Sequence, residues 1–158
     1  MLPIALLVLT ACTAGTEPDD EGPGEVSMPP VTGEGLGATE LPPAEDLEAV
    51  LSSSGDVTGG FTGNVTPEAP VTADVPEVAA GSVLLRVACT SDDGAPVTVS
   101  VAAAGAPLTS YQAPCVPVFE GGSTMADSDA FQVPGGALQL TVEAPAEAVV
   151  AIGFLPAA

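Results

Sequence analysis

Val83-Leu84-Leu85-Arg86-Val87-Ala88-Cys89-Thr90, running into Ser91-Asp92-Asp93-Gly94, decides the fold. Val83, Leu85, Val87 and Cys89 alternate with Leu84, Arg86, Ala88 and Thr90, and a period of two places alternate side chains on opposite faces of a strand. Ser91-Asp92-Asp93-Gly94 is a turn, with Gly94 free to take positive φ. Val97, Val99, Val101 and Ala103 then alternate with Thr98, Ser100 and Ala102, so these two strands are expected to pair as a hairpin. Further along, Phe131-Gln132-Val133 reads as a short strand ended by Pro134-Gly135-Gly136. Leu138, Leu140 and Val142 share one face of the next strand. Val150, Ile152 and Phe154 share one face of the last, with Val149 and Ala151 opposite. Weaker strand signals lie at 116–119 and 124–128, and 105–117 reads as a loop carrying Tyr111 and Cys115. Short strands with turn signals between them predict an all-β fold, a small antiparallel sandwich or barrel-like domain of five to seven strands over 81–158. An open sheet packed against a short helix is the alternative.

Upstream, the composition changes. Residues 13–80 hold 14 of the 21 acidic residues and no basic one, with nine prolines and ten glycines. Such a segment buries too little surface to offset about 1–2 kcal/mol of backbone entropy per ordered residue. It therefore reads as a long disordered acidic linker, a stalk. A short helix is expected at 43–53, where Pro43 suits an early position and Glu45 and Asp46 favour the positive end. Leu47, Val50 and Leu51 fall at helical spacing, but a helix this short is marginal alone, so the sequence favours a transient turn over docking. Serines and threonines among the glycines suit O-glycosylation of the stalk. Asn64-Val65-Thr66 matches a glycosylation triplet of low specificity.

At the N-terminus, the apolar run from Ile4 to Leu9 meets Leu9-Thr10-Ala11-Cys12. This tetrapeptide resembles the lipobox of bacterial lipoproteins. The resemblance implies a signal peptide at 1–11, removed on export, and a diacylglyceryl group on Cys12 holding the protein to the outer face of the cell membrane. The apolar run is too short to cross a bilayer, which needs about 20 residues. Met1-Leu2-Pro3 lacks the basic residues usual in such leaders, which suggests that translation starts upstream of Met1. The C-terminal part resembles the compact β modules of small actinobacterial lipoproteins, a likeness carried residue by residue by the lipobox alone.

Charge and residue types narrow the function. The formal net charge is −20, with Arg86 the only basic side chain and no histidine. Nucleic-acid binding draws on Lys and Arg against phosphate, so no nucleic-acid partner is expected, and no phosphate-cradling glycine loop suggests a nucleotide. Without His or Lys, neither a Ser-His-Asp triad nor a Schiff base can form, and no enzyme activity or cofactor is expected. Asp92, Asp93, Glu120, Asp127, Asp129, Glu143 and Glu147 fall in turns or on polar strand faces, as solvated charges do. Once Cys12 is lipidated, Cys89 and Cys115 are the only thiols left in an oxidising compartment, and a structural disulfide between them is expected. Asp127 and Asp129, with Glu120 near in sequence, are the weak candidates for a calcium site, short of the six to eight oxygens that calcium takes. Tyr111 is the sole candidate contact for a sugar.

The expected function is display, at the cell envelope, of a non-catalytic β domain for interaction with an envelope protein or for a structural role in the wall. The alternative is a solute-, carbohydrate- or calcium-binding module accessory to a transporter or receptor. An exposed apolar patch favours the first and a concave pocket with converging polar groups the second.

Overall fold

The computed structural model of the chain describes residues 39–157. The expected signal peptide at 1–11, the expected lipidation site Cys12 and the first part of the expected stalk lie outside the described residues. The chain runs through helix α1 (Ala44–Ser53), then strands β1 (Thr58–Val65), β2 (Val71–Val78), β3 (Gly81–Ser91), β4 (Val97–Ala103) and β5 (Ala106–Ala113). It continues through β6 (Val116–Pro117), a single 3₁₀ turn (Val118–Glu120), β7 (Thr124–Asp127), β8 (Phe131–Val133), β9 (Gly136–Glu143) and β10 (Ala148–Pro156).

These strands make two facing sheets. One has the order β1-β10-β3, with β6, β7 and β8 sharing the far edge of β3, and the other is β2-β9-β4-β5. All pairings are antiparallel except the two-residue one between β3 and β6. The core lies between the sheets. Leu85, Val87, Val150, Ile152 and Phe154 on one side meet Val99, Val101, Leu138, Leu140 and Val142 on the other, all buried. The fold is the predicted all-β antiparallel sandwich, with ten strands in place of five to seven.

Four expectations need correction. The segment read as stalk is ordered from residue 39 onward and contributes α1, β1 and β2. Val71, Ala73, Val75 and Val78 supply an apolar set against Leu138 and Leu140 of β9, and this nonlocal pairing outweighs the unfavourable local composition. Second, β3 and β4 do not pair. Both edges of β3 are occupied, by β10 on one side and by β6, β7 and β8 on the other. The turn after Ser91 therefore carries the chain across to the second sheet. Third, the segment read as a loop before Cys115 is β5, an eight-residue edge strand held by β4 from Val97 to Ala103.

The fourth correction concerns α1, which is docked. Leu47 and Leu51 are buried against Ala88 of β3 and Val149 and Ala151 of β10, on the face of the sheet turned away from the core. Burying two leucines is worth about 1.5–3 kcal/mol each, enough to hold a ten-residue helix that could not persist alone. Small residues beneath it permit the approach. A Cβ on Gly153 would overlap the side chain of Val57, in the turn that returns the chain from α1 to β1. Val50 lies off the buried stripe and is 39% exposed.

Candidate functional site

α1 covers only part of its sheet face, and a groove of about 700 Å³ opens along one flank. Thr39, Glu40, Leu41, Pro42 and Pro43 lead into the helix and form one wall together with Asp46, Leu47 and Val50. The opposite wall is Val118 with the loop Gly121, Gly122 and Ser123, and Thr90 of β3 lies between the two. This volume falls within the range of small-ligand sites.

Three attachments to β3 hold the groove in place. The Cys89–Cys115 disulfide ties β3 to the segment that leads into the second wall, with Cα atoms 4.7 Å apart. The expected bond is therefore present. Thr90 is buried, and its Oγ1 donates to the Gly122 carbonyl at 2.7 Å. Thr124 Oγ1 donates to the Pro114 carbonyl at 2.6 Å, closing the loop from its other end. On the helix side, the Arg86 Nη1 donates to the Ser54 carbonyl at 2.8 Å, at the C-terminal cap of α1. The same guanidinium donates through Nε and Nη2 to both Asp127 carboxylate oxygens, each at 2.6 Å. Arg86 thus joins the helix to β7, and the helix and the segment leading into β7 form the two walls. The bidentate hydrogen bonds hold the Asp127 carboxyl below its usual range and raise the Arg86 guanidinium.

Groove chemistry is mixed. Leu41, Pro42, Pro43, Leu47, Val50 and Val118 are apolar. Thr39 and Ser123 bring hydroxyls, and Glu40 and Asp46 bring carboxylates. No cation lines it, because the chain has one basic side chain and Asp127 and Ser54 occupy it. The large hydrophobics exposed among the described residues are Val50, Phe119 and Met125, at 39%, 61% and 46%. Val50 lines the groove, and Phe119 sits in the turn between the lining residues Val118 and Gly121. Met125 lies directly across from Ala88, so its side chain shares the face on which α1 packs.

The candidate calcium residues do not come together. Among the described residues no group of three acidic, histidine or cysteine side chains is placed to hold a metal. Asp127 is taken by Arg86. Ser128 accepts a hydrogen bond from the Leu85 amide at 2.9 Å and donates to the Asp129 carbonyl at 2.8 Å, locking that stretch against β3. Glu120 is exposed at the end of the 3₁₀ turn. Tyr111 is half-buried on β5, away from the groove. Its hydroxyl is raised by burial first and then by the Asp127 and Asp129 charges.

No protein-family model matches the chain, and no curated protein sequence matches it. Among solved structures it is similar to the C-terminal CBM6 of LamC, a marine laminarinase from Zobellia galactanivorans, at 15% identity and TM-score 0.39, over 61% of this chain and 88% of that one. It is similar also to the CBM36-1 domain of a multidomain xylanase from the hindgut metagenome of Trinervitermes trinervoides, at 12% identity and TM-score 0.41, over 65% and 92%. A third is the carbohydrate-binding module CBM6cm-2 from Cellvibrio mixtus lichenase 5A in complex with cellotriose, at 13% identity and TM-score 0.40, over 77% and 99%. None of these likenesses assigns a ligand to the groove.

Proposed function

We propose that the protein is an accessory binding module, held at the outer face of the cell membrane by a lipidated Cys12, and that its ligand lies in the groove beside α1. The observation that carries this reading is the groove itself, about 700 Å³ in volume, lined largely by apolar residues and by a few polar groups that converge on it. The groove's carboxylates, without a balancing cation, repel anions, so the ligand is neutral or positively charged and partly apolar. A neutral glycan is the second reading. The Thr39 and Ser123 hydroxyls and the two carboxylates suit it, and the largely aliphatic lining suits it less.

Amide chemical-shift mapping on the full ¹⁵N-labelled chain tests the site, using a cello-oligosaccharide, a basic peptide and inorganic phosphate as probes. One of the first two should shift Val50, Thr90 and residues 121–123, while phosphate should leave them unmoved. Shifts confined to other surfaces would refute the groove. The anchor rests on Leu9-Thr10-Ala11-Cys12. The protein should partition with membranes, and Cys12→Ser should release it or leave it unprocessed. An intact mass without acylation at Cys12 would remove the anchor from the proposal.

A further inference from the structure

We infer that the groove receives a segment of another protein, one that sets an apolar side chain beside lysine or arginine. This rests on the groove being the binding site and adds what fills it. Leu41, Pro42, Pro43 and Val50 give the groove an apolar lining, and the exposed Phe119 and Met125 come from the segment that forms its opposite wall, a surface that an apolar group covers with gain. The acids beside it are uniform in sign: Glu40 and Asp46 line the groove and Glu120 follows Phe119, whereas Glu48 faces the opposite flank of α1 with Leu51 and Phe61. An apolar centre inside a charged rim is the anatomy of a protein interface. Here the rim carries one sign only, which fixes the sign of the partner.

The same charge excludes two nearer occupants. Residues 13–38 of this chain carry Glu17, Asp19, Asp20, Glu21, Glu25 and Glu34 and no basic residue, so they bring no charge complementary to the rim. A second copy brings a net charge of −20 against an identical acidic face. A neutral glycan can stack a ring on Phe119 but brings no counter-charge to Glu40 and Asp46. A basic, apolar segment answers both features at once.

The test is calorimetric titration of the full chain with three synthetic peptides of about 12 residues, with Lys/Leu, Lys/Ser and Glu/Leu composition, and with cellohexaose. The Lys/Leu peptide should bind, and the other two peptides should bind roughly tenfold or more weakly. Phe119→Ser should weaken the Lys/Leu peptide by roughly tenfold, because it removes apolar contact without changing charge. Joint Glu40→Gln and Asp46→Asn should weaken it and flatten its salt dependence. Asp74→Asn with Glu77→Gln removes equal charge from exposed positions on β2, in the other sheet, and should leave affinity unchanged. Circular dichroism melting confirms that each variant is folded. If the distant pair weakens binding as much as the groove pair, or Phe119→Ser changes nothing, the attraction is a bulk charge effect and the inference fails. If cellohexaose binds at the groove and the Lys/Leu peptide does not, the partner is a glycan and the module reading survives alone. If neither perturbs the groove, both fall.

Discussion

Arg86 is the only side chain in the protein able to carry a fixed positive charge, and all of its bonding is internal. An exposed ion pair contributes little, about 0–1 kcal/mol. This one is bidentate, with side-chain exposures of 20% and 38%, and it also caps a helix carbonyl. Arg86→Met is expected to lower the melting temperature by a few degrees, and to raise amide exchange in α1 more than in β9 or β4. A uniform rise across all strands would show that Arg86 supports the sandwich and not the helix. The pH dependence follows from the Asp127 carboxyl, which is held below its reference value of 3.8 when folded. Its contribution is present above that value and is lost as the pH falls through the lower, folded one. The stability gap between wild type and Asp127→Asn should therefore be constant near neutrality and close in strong acid. A gap that closes between pH 6 and 5 would point to another group. Gly60 is a different kind of fixed point. Its φ is +137°, and a Cβ there would overlap the Ile152 carbonyl, so Gly60→Ala should cost well over 1 kcal/mol in a denaturant melt.

Elements differ in how far the sequence announced them. β3 and β9 alternate, β10 sets Val150, Ile152 and Phe154 on one face, and the structure places these apolar sets in the core as expected. The bounds of α1 are within a residue of the expected helix, yet its docking was not expected. The signal for docking was present on the sheet. β10 is apolar on both faces, and Ala88, Val149 and Ala151 are small or apolar residues on the side that water would otherwise reach. A strand apolar on both faces is a strand covered on both. β1 and β2 were hidden for the converse reason: glycines at 59, 60 and 63 and prolines at 70 and 76 mask a short alternation that only a distant partner strand makes worthwhile. The groove was illegible because its walls come from three separated segments, and Glu40, Thr90 and Gly122 meet only once α1 lies on β3. Leu51→Ala should remove about 2–4 kcal/mol of packing from α1, and exchange should rise in the helix while the two-sheet core keeps its protection.

At the scale of the molecule, the disulfide is the main covalent restraint. It closes a loop of about 27 residues, for which chain-entropy arithmetic gives about 3.6 kcal/mol. That is a large part of the few kcal/mol expected for a small domain. Reduction should lower the melting temperature and, because Cys115 precedes the wall at 121–123, should also loosen the groove. Thiol titration of the native protein should find neither Cys89 nor Cys115 reactive, and two reactive thiols would contradict the bond.

The position of α1 has a mechanical meaning as well. A pull delivered at Thr39 enters the helix at Ala44 and leaves it at Ser54, where Arg86 holds the cap, before it reaches β1. The helix is held by two leucines and one guanidinium, whereas β1 is held by seven residue pairs along β10. Load would therefore peel α1 from the sheet while the sandwich stayed shut, and the groove would lose a wall. If the groove holds the ligand as proposed, tension at Thr39 is expected to open it before the sandwich unfolds.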